Sequence, residues 1–155
     1  MKTANSLPTL EGCNCFAVRA AARHVSQAYD RFLAPTGLRT TQYSILTRLK
    51  RKGPLTINAL AEDMVMDRTT LGRNILPLQR DGLIKIKSAA SDRRAKELRL
   101  TKAGESRLQE ACEGWSQAQA RFEAAFGEKR AAGLRELLRT AAASEFIRTS
   151  AISTR

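Results

Sequence analysis

The chain has 155 residues, 43% of them apolar and 27% charged, with a formal net charge of +12; this balance excludes a disordered chain and leaves enough length for one domain with a true core. It holds no uncharged apolar run of about 18 residues, which excludes a membrane-crossing helix, and the opening MKTANSLPTLEGCNCF has one lysine and no apolar centre, unlike a secretory signal. A cytoplasmic protein with reduced Cys13, Cys15 and Cys112 is therefore expected.

Residues 1–10 read as a loose arm. From Cys13 to Leu33 apolar residues recur at helical spacing (Val18, Ala21, Val25, Ala28, Tyr29, Phe32), which predicts a helix of five to six turns ended by Pro35 and Gly37. Thr40 is placed as the cap of a second helix, TTQYSILTRLKRKG, with Tyr43, Leu46 and Leu49 inside. Gly53 and Pro54 break it. Thr56 caps a short third helix that faces Ile57, Leu60 and Met64 inward. Asp67 caps a fourth, RTTLGRNILPLQRD, with Met66 and Leu71 spaced as a hydrophobic staple and Gly82 as its stop. Pro77 inside this helix predicts a kink or a distorted last turn.

LIKIK and ELRLT then alternate apolar and polar residues around the basic loop SAASDRRAK, which predicts a projecting hairpin. Thr101 caps a long helix to about Phe126, Gly127 breaks it, and a last helix is expected from Glu128 to Ile147. The fold class is thus mainly α with a small β-hairpin wing. It forms one domain over residues 1–155, with a winged helix-turn-helix lobe at 38–102 and flanking helices at 11–36 and 103–150. Those flanking helices hold Leu134, Leu137, Leu138, Phe146 and Ile147, more apolar surface than the lobe can cover, which predicts dimerisation.

The basic excess is concentrated in the same lobe. Residues 38–102 hold 15 basic against 6 acidic side chains, and the other 90 residues hold 12 against 9. This distribution suits a polyanion such as duplex DNA, while remaining compatible with RNA, anionic lipid or a merely solvated surface. The fourth helix places Arg68, Thr69, Thr70, Arg73 and Asn74 near its N-terminus, opposite Leu71, Ile75 and Leu78. Helix N-termini favour phosphate. Arginine can read guanine O6 and N7, and asparagine can read adenine N6 and N7. In the hairpin, Arg93 and Arg94 beside Asp92 suit a narrow, negative minor groove, with Asp92 expected to steady a guanidinium by a bidentate pair. Lys85, Lys87, Lys96 and Arg99 touch phosphate or stay solvated.

The run MDRTTLGRNILPLQRDGLIKIKSAASDRRAKELRLTKAG resembles the multiple antibiotic resistance regulator (MarR) family. The motifs that carry the resemblance are the Asp-x-Arg of Asp92 and Arg94, the Leu-Thr-x-x-Gly from Leu100 to Gly104, and Asp81-Gly82-Leu83, within a layout that matches from about Cys13 to Ile147. The resemblance implies a homodimer of triangular outline that binds a pseudo-palindrome, with the fourth helix in the major groove and Arg94 in the minor groove. It also implies a repressor released by a small effector or an oxidant, through a dimer whose reading helices no longer match the half-site spacing.

Two triggers stay open. Cys15 stands where the organic hydroperoxide-sensing branch of that family carries its reactive cysteine, and Tyr29 matches a tyrosine that bonds the thiolate. That branch has a further tyrosine one turn after the cysteine, where this chain has Arg19, a cation able to favour the thiolate. Alternatively an aromatic carboxylate binds near Arg19, Arg23, His24, Tyr43 and Trp115, arginine pairing the carboxylate and rings packing the body. Plain core or surface roles compete at His24, Tyr43 and Trp115. A zinc site would need Cys13, Cys15, His24 and Cys112 together, and a Cys13–Cys15 disulfide would close a strained short loop; no metal or cofactor is expected.

Two other classes complete the field. A nonspecific architectural DNA-binding protein would not need Asn74 or the Asp92–Arg94 pair. A thiol peroxidase would need a partner for Cys15, and His24 is nine residues away; no enzyme activity is expected.

Overall fold

The computed structural model describes residues 9–144. Among these are six helices: α1 (Asn14–Leu33), α2 (Thr40–Lys52), α3 (Ile57–Asp63), α4 (Arg68–Arg80), α5 (Lys102–Phe126) and α6 (Glu128–Ala142). Three strands, β1 (Leu55–Thr56), β2 (Ile84–Ser88) and β3 (Lys96–Leu100), form an antiparallel sheet in the order β1-β3-β2. The fold is mainly helical with a small wing, as the sequence predicts. None of these helices is long and apolar enough to cross a membrane.

The chain divides into two compact units, the first ending at Trp115 and the second beginning at Ser116, inside α5. The first has one core. Ile45, Leu46 and Leu49 of α2, Leu60 of α3, Leu71, Ile75 and Leu78 of α4, and Ile84 and Leu98 of the hairpin meet there, fully or nearly fully buried. The α4 residues recur at i, i+4 and i+7, so one face of that helix is buried and the opposite face stays in solvent. In the second unit Ala118 and Ala131 are buried, Phe122 stacks on Phe126 at 5.4 Å, and Arg135 pairs with Glu123 at 3.1 Å.

Helix starts follow the expected chemistry with one exception. The Thr56 hydroxyl accepts the Ala59 N–H (3.1 Å), the Asp67 carboxylate accepts the Thr70 N–H (2.8 Å), and the Thr101 hydroxyl accepts the Gly104 N–H (3.0 Å). Thr40, however, is the first helical residue of α2 and not its cap. Arg39 takes the cap position, its N–H donating to Gln42 Oε1, while the Thr40 N–H and hydroxyl both donate to Asp30 Oδ1. The α1 carboxylate thus starts α2, a long-range cap that no local pattern announces.

α4 runs through Pro77 to Arg80, the span that the sequence predicts. The proline falls in the last turns and deprives only the Arg73 carbonyl of its helical donor, at an exposed residue. Leu10–Gly12 forms a short 3₁₀ turn at the junction between the expected arm and the first helix, and the arm up to residue 8 lies outside the described residues. α6 ends at Ala142, short of the expected boundary; Phe146 and Ile147 lie outside the described residues. The wing gains β1 as a third strand, with Leu55 opposite Leu98 and Thr56 opposite Glu97, which ties the start of α3 to the wing.

Candidate nucleic-acid interface

Two elements carry the expected reading residues, and the sheet and core hold them together. On α4, Arg68, Thr69 and Arg73 are exposed and make no side-chain hydrogen bond or ion pair among the described residues. Thr70 and Asn74 are engaged locally. The Thr70 hydroxyl donates to Asp67 Oδ2 at 2.6 Å, and the Asn74 amide donates to the Thr70 carbonyl at 2.9 Å, leaving Asn74 Oδ1 as its open acceptor. The hydroxyl and N–H of Thr70 hold the Asp67 carboxyl below its ordinary range. Gly72, on the same side of the helix as Arg73, has open space around it.

The wing tip is a hydrogen-bonded turn. Asp92 Oδ1 accepts the backbone N–H of Arg94 at 2.9 Å, the Asp92 carbonyl accepts the Ala95 N–H at 3.0 Å, and the Ala89 N–H donates to the Ala95 carbonyl at 2.8 Å. Asp92 therefore shapes the chain under Arg94 and does not grip its guanidinium, contrary to the expectation of a bidentate pair. A carboxylate two residues before an N–H closes a local turn more readily than it reaches along its neighbour's long side chain. Arg93 and Arg94 are exposed, as are Lys85, Lys87 and Lys96. Arg99 does not join them: it pairs with Glu97 at 3.0 Å, partly buried.

Within the lobe, Asp63 at the end of α3 receives both Arg48 (3.2 Å) and Lys52 of α2. The Lys52 hydrogen bond, with the Arg48 charge, holds its carboxyl below the usual range. These two ion pairs tie the end of α3 to α2.

The candidates for a trigger separate in space. Cys15, Arg19, Arg23 and His24 are exposed on α1, and Tyr29 is half-buried there. Tyr43 is buried in α2, stacks against Trp115 at 6.0 Å, and its hydroxyl lies 4.0 Å from Cys112 Sγ. Burial and the adjacent Cys112 push the Tyr43 phenol above its ordinary value. Beside this cluster, α2 and α5 enclose an open cleft of about 700 Å³ whose lining includes Tyr43, Cys112, Arg51, Lys102 and the Lys50–Glu105 ion pair (2.8 Å). Arg19, Arg23, His24 and Trp115 do not line it. Its cations were legible in sequence only as the run KRK and a lone lysine, because the crossing of two helices distant in the chain creates the site.

Comparison with known proteins agrees with this architecture. The MarR family model matches residues 38–96. The crystal structure of the M. tuberculosis transcriptional regulator MosR is 35% identical, covering 88% of this chain and 100% of that one, with a TM-score of 0.74. The structure of the same regulator in complex with DNA is 38% identical over 84% of this chain and 97% of that one, at a TM-score of 0.73. The organic hydroperoxide resistance transcriptional regulator of Bacillus subtilis (strain 168) is 28% identical over 95 residues, 61% of this chain and 65% of that protein, so the match spans under two thirds of its length. A lobe-wide family match and 35% identity across a whole solved regulator show that the chain belongs to the MarR family of winged helix-turn-helix, DNA-binding transcription regulators.

Proposed function

We propose that the chain is a homodimeric repressor that holds a pseudo-palindromic operator in the cytoplasm and releases it when a small effector or an oxidant acts. Residues 38–102 form the DNA-binding lobe, and residues 11–36 and 103–150 the dimerisation helices. α4 enters the major groove with Arg68, Thr69, Arg73 and Asn74, and Arg94 enters the adjoining minor groove. The observation that carries this reading is the pairing of two exposed basic elements, α4 and the wing, on one rigid core, with Arg68, Arg73, Arg93 and Arg94 free of acidic partners among the described residues. MosR, the relative described above, has been crystallised with DNA.

Exposed apolar residues support the dimer. α1 buries only Leu33 of its 20 residues, leaving Phe16 and Val18 on the surface, and Leu137 and Leu138 are exposed on α6. A second copy is the symmetric cover for such faces.

For the trigger, the cleft favours an aromatic carboxylate. Arg51 and Lys102 supply the counter-charge and Tyr43 an aromatic wall, while Lys50 is paired with Glu105 of the same lining at 2.8 Å. Oxidation of the exposed Cys15 is the second reading, supported by the hydroperoxide-resistance regulator among its relatives.

The test is binding of the purified protein to a duplex selected from a random library, against a scrambled duplex, with salicylate or cumene hydroperoxide added. Preference for the selected duplex and release by one additive support the reading. Equal affinity for both duplexes refutes it in favour of an architectural role.

A further inference from the structure

A cavity of about 270 Å³ lies between the start of α4 and the tip-side end of the wing, where the loop enters β3. Arg68 of α4, Arg94 and Lys96 of the wing, and Asn58 of α3 line it, together with Thr56 and Ile57. No acidic side chain lines it, and the three cations make no ion pair among the described residues. Like charges gathered around a small space without a counter-charge favour an anionic occupant.

Duplex geometry says which anion. A major groove about 12 Å wide and a minor groove about 6 Å wide lie side by side on B-DNA. One sugar–phosphate strand separates them. A protein with α4 in one groove and the wing in the next must pass that strand between the two elements. The cavity is the space between them.

We propose that this cleft is a phosphate seat, in which one phosphodiester of the strand between the grooves docks against Arg68, Lys96 and Asn58. The proposal rests on the DNA-binding reading above and adds Asn58 and Lys96 to its contacts. Arg68 and Lys96 supply charge, and the neutral Asn58 amide donates a hydrogen bond to a phosphate oxygen. A seat between the two reading elements fixes the register of both and carries no base preference of its own. β1 positions it: pairing with β3 brings Thr56, at the head of α3, beside Glu97, the neighbour of Lys96.

The test compares the wild-type chain with Lys96→Gln and Asn58→Ala on the selected and scrambled duplexes, across salt, with single methylphosphonates placed along the selected duplex. Each seated phosphate contributes about 0.9 to the log–log salt slope. Lys96→Gln in a two-seat dimer is expected to lower the slope by about 2 at most, equally on both duplexes. Asn58→Ala is expected to weaken binding several-fold without changing the slope. One methylphosphonate per half-site, between the two grooves' contacts, weakens the wild type and weakens both variants less. Wild-type slope in Lys96→Gln, or phosphonate profiles identical in all three proteins, overturns the seat alone. Failure of the wild type to bind any duplex overturns the DNA-binding reading itself.

Discussion

Gly104 of α5 packs directly on the Leu83 carbonyl: a Cβ at Gly104 would stand 2.1 Å from that oxygen. The same carbonyl accepts the N–H and the hydroxyl of Thr101, at 3.1 and 3.0 Å. The stop of α4 and the start of α5 are therefore one joint, with Gly82 in the left-handed conformation (φ 71°) turning the chain into it. This joint is the physical content of the Asp81-Gly82-Leu83 and Leu-Thr-x-x-Gly motifs. Gly104→Ala is expected to destabilise the protein by about 1–3 kcal/mol, because the clash is with backbone and cannot rotate away. Gly72→Ala, in open space on the same chain, is expected to stabilise by about 0.5–1 kcal/mol. Urea midpoints of both variants check the contrast.

Val65, in the turn between α3 and α4, is 75% exposed and has φ 50°, a conformation a β-branched side chain rarely adopts. Left-handed backbone costs a residue with a Cβ about 1–2 kcal/mol. Val65→Gly removes that strain, at some entropic cost, and is expected to raise stability by roughly 0.5–1 kcal/mol. Thermal unfolding measures it, and an unchanged or lower midpoint contradicts the strain.

The wing supplies a case in which charge and geometry point in opposite directions. Asp92→Ala removes a negative charge and, by net charge alone, should tighten binding to DNA. Loss of the Asp92–Arg94 backbone bond loosens the turn under Arg94, and this effect is expected to dominate: binding falls about tenfold. Asp92→Asn keeps an acceptor at the same place and is expected to restore the affinity. Arg94→Ala should weaken binding to every duplex, whereas Asn74→Ala should relax preference at one base pair. Titrations on the selected and scrambled duplexes separate these outcomes.

Much of this arrangement is readable from local pattern. Thr56, Asp67 and Thr101 announce their helices because a cap acts within three residues, and Leu71, Ile75 and Leu78 mark the buried face of α4 by their period alone. The contacts that escape sequence reading join residues far apart. Asp30 starts α2 from ten residues away, β1 is two residues long and exists only through β3, and the Lys50–Arg51–Lys102 cleft needs α2 and α5 to cross. Asp92 is the converse case: the residue is legible, but its partner is a backbone N–H and not the neighbouring guanidinium.

Acid should loosen the lobe through Asp63 and Asp67, whose folded carboxyls titrate below their ordinary range. Their contribution is complete above the unfolded value of about 3.9 and is lost as pH falls through the folded values. Asp63→Asn is expected to lower the urea midpoint at about pH 6 and to shrink its fall between about pH 5 and pH 2.5. An identical pH dependence in wild type and variant contradicts the assignment.

Dimethyl sulfate protection of the selected duplex tests the central claim most directly, since the reagent methylates guanine N7 in the major groove and adenine N3 in the minor groove. The account predicts protected guanine N7 positions within each half-site, flanked by protected adenine N3 positions under the wings, in a two-fold symmetric pattern. Protection confined to one groove, or none on a duplex the protein binds, would contradict it.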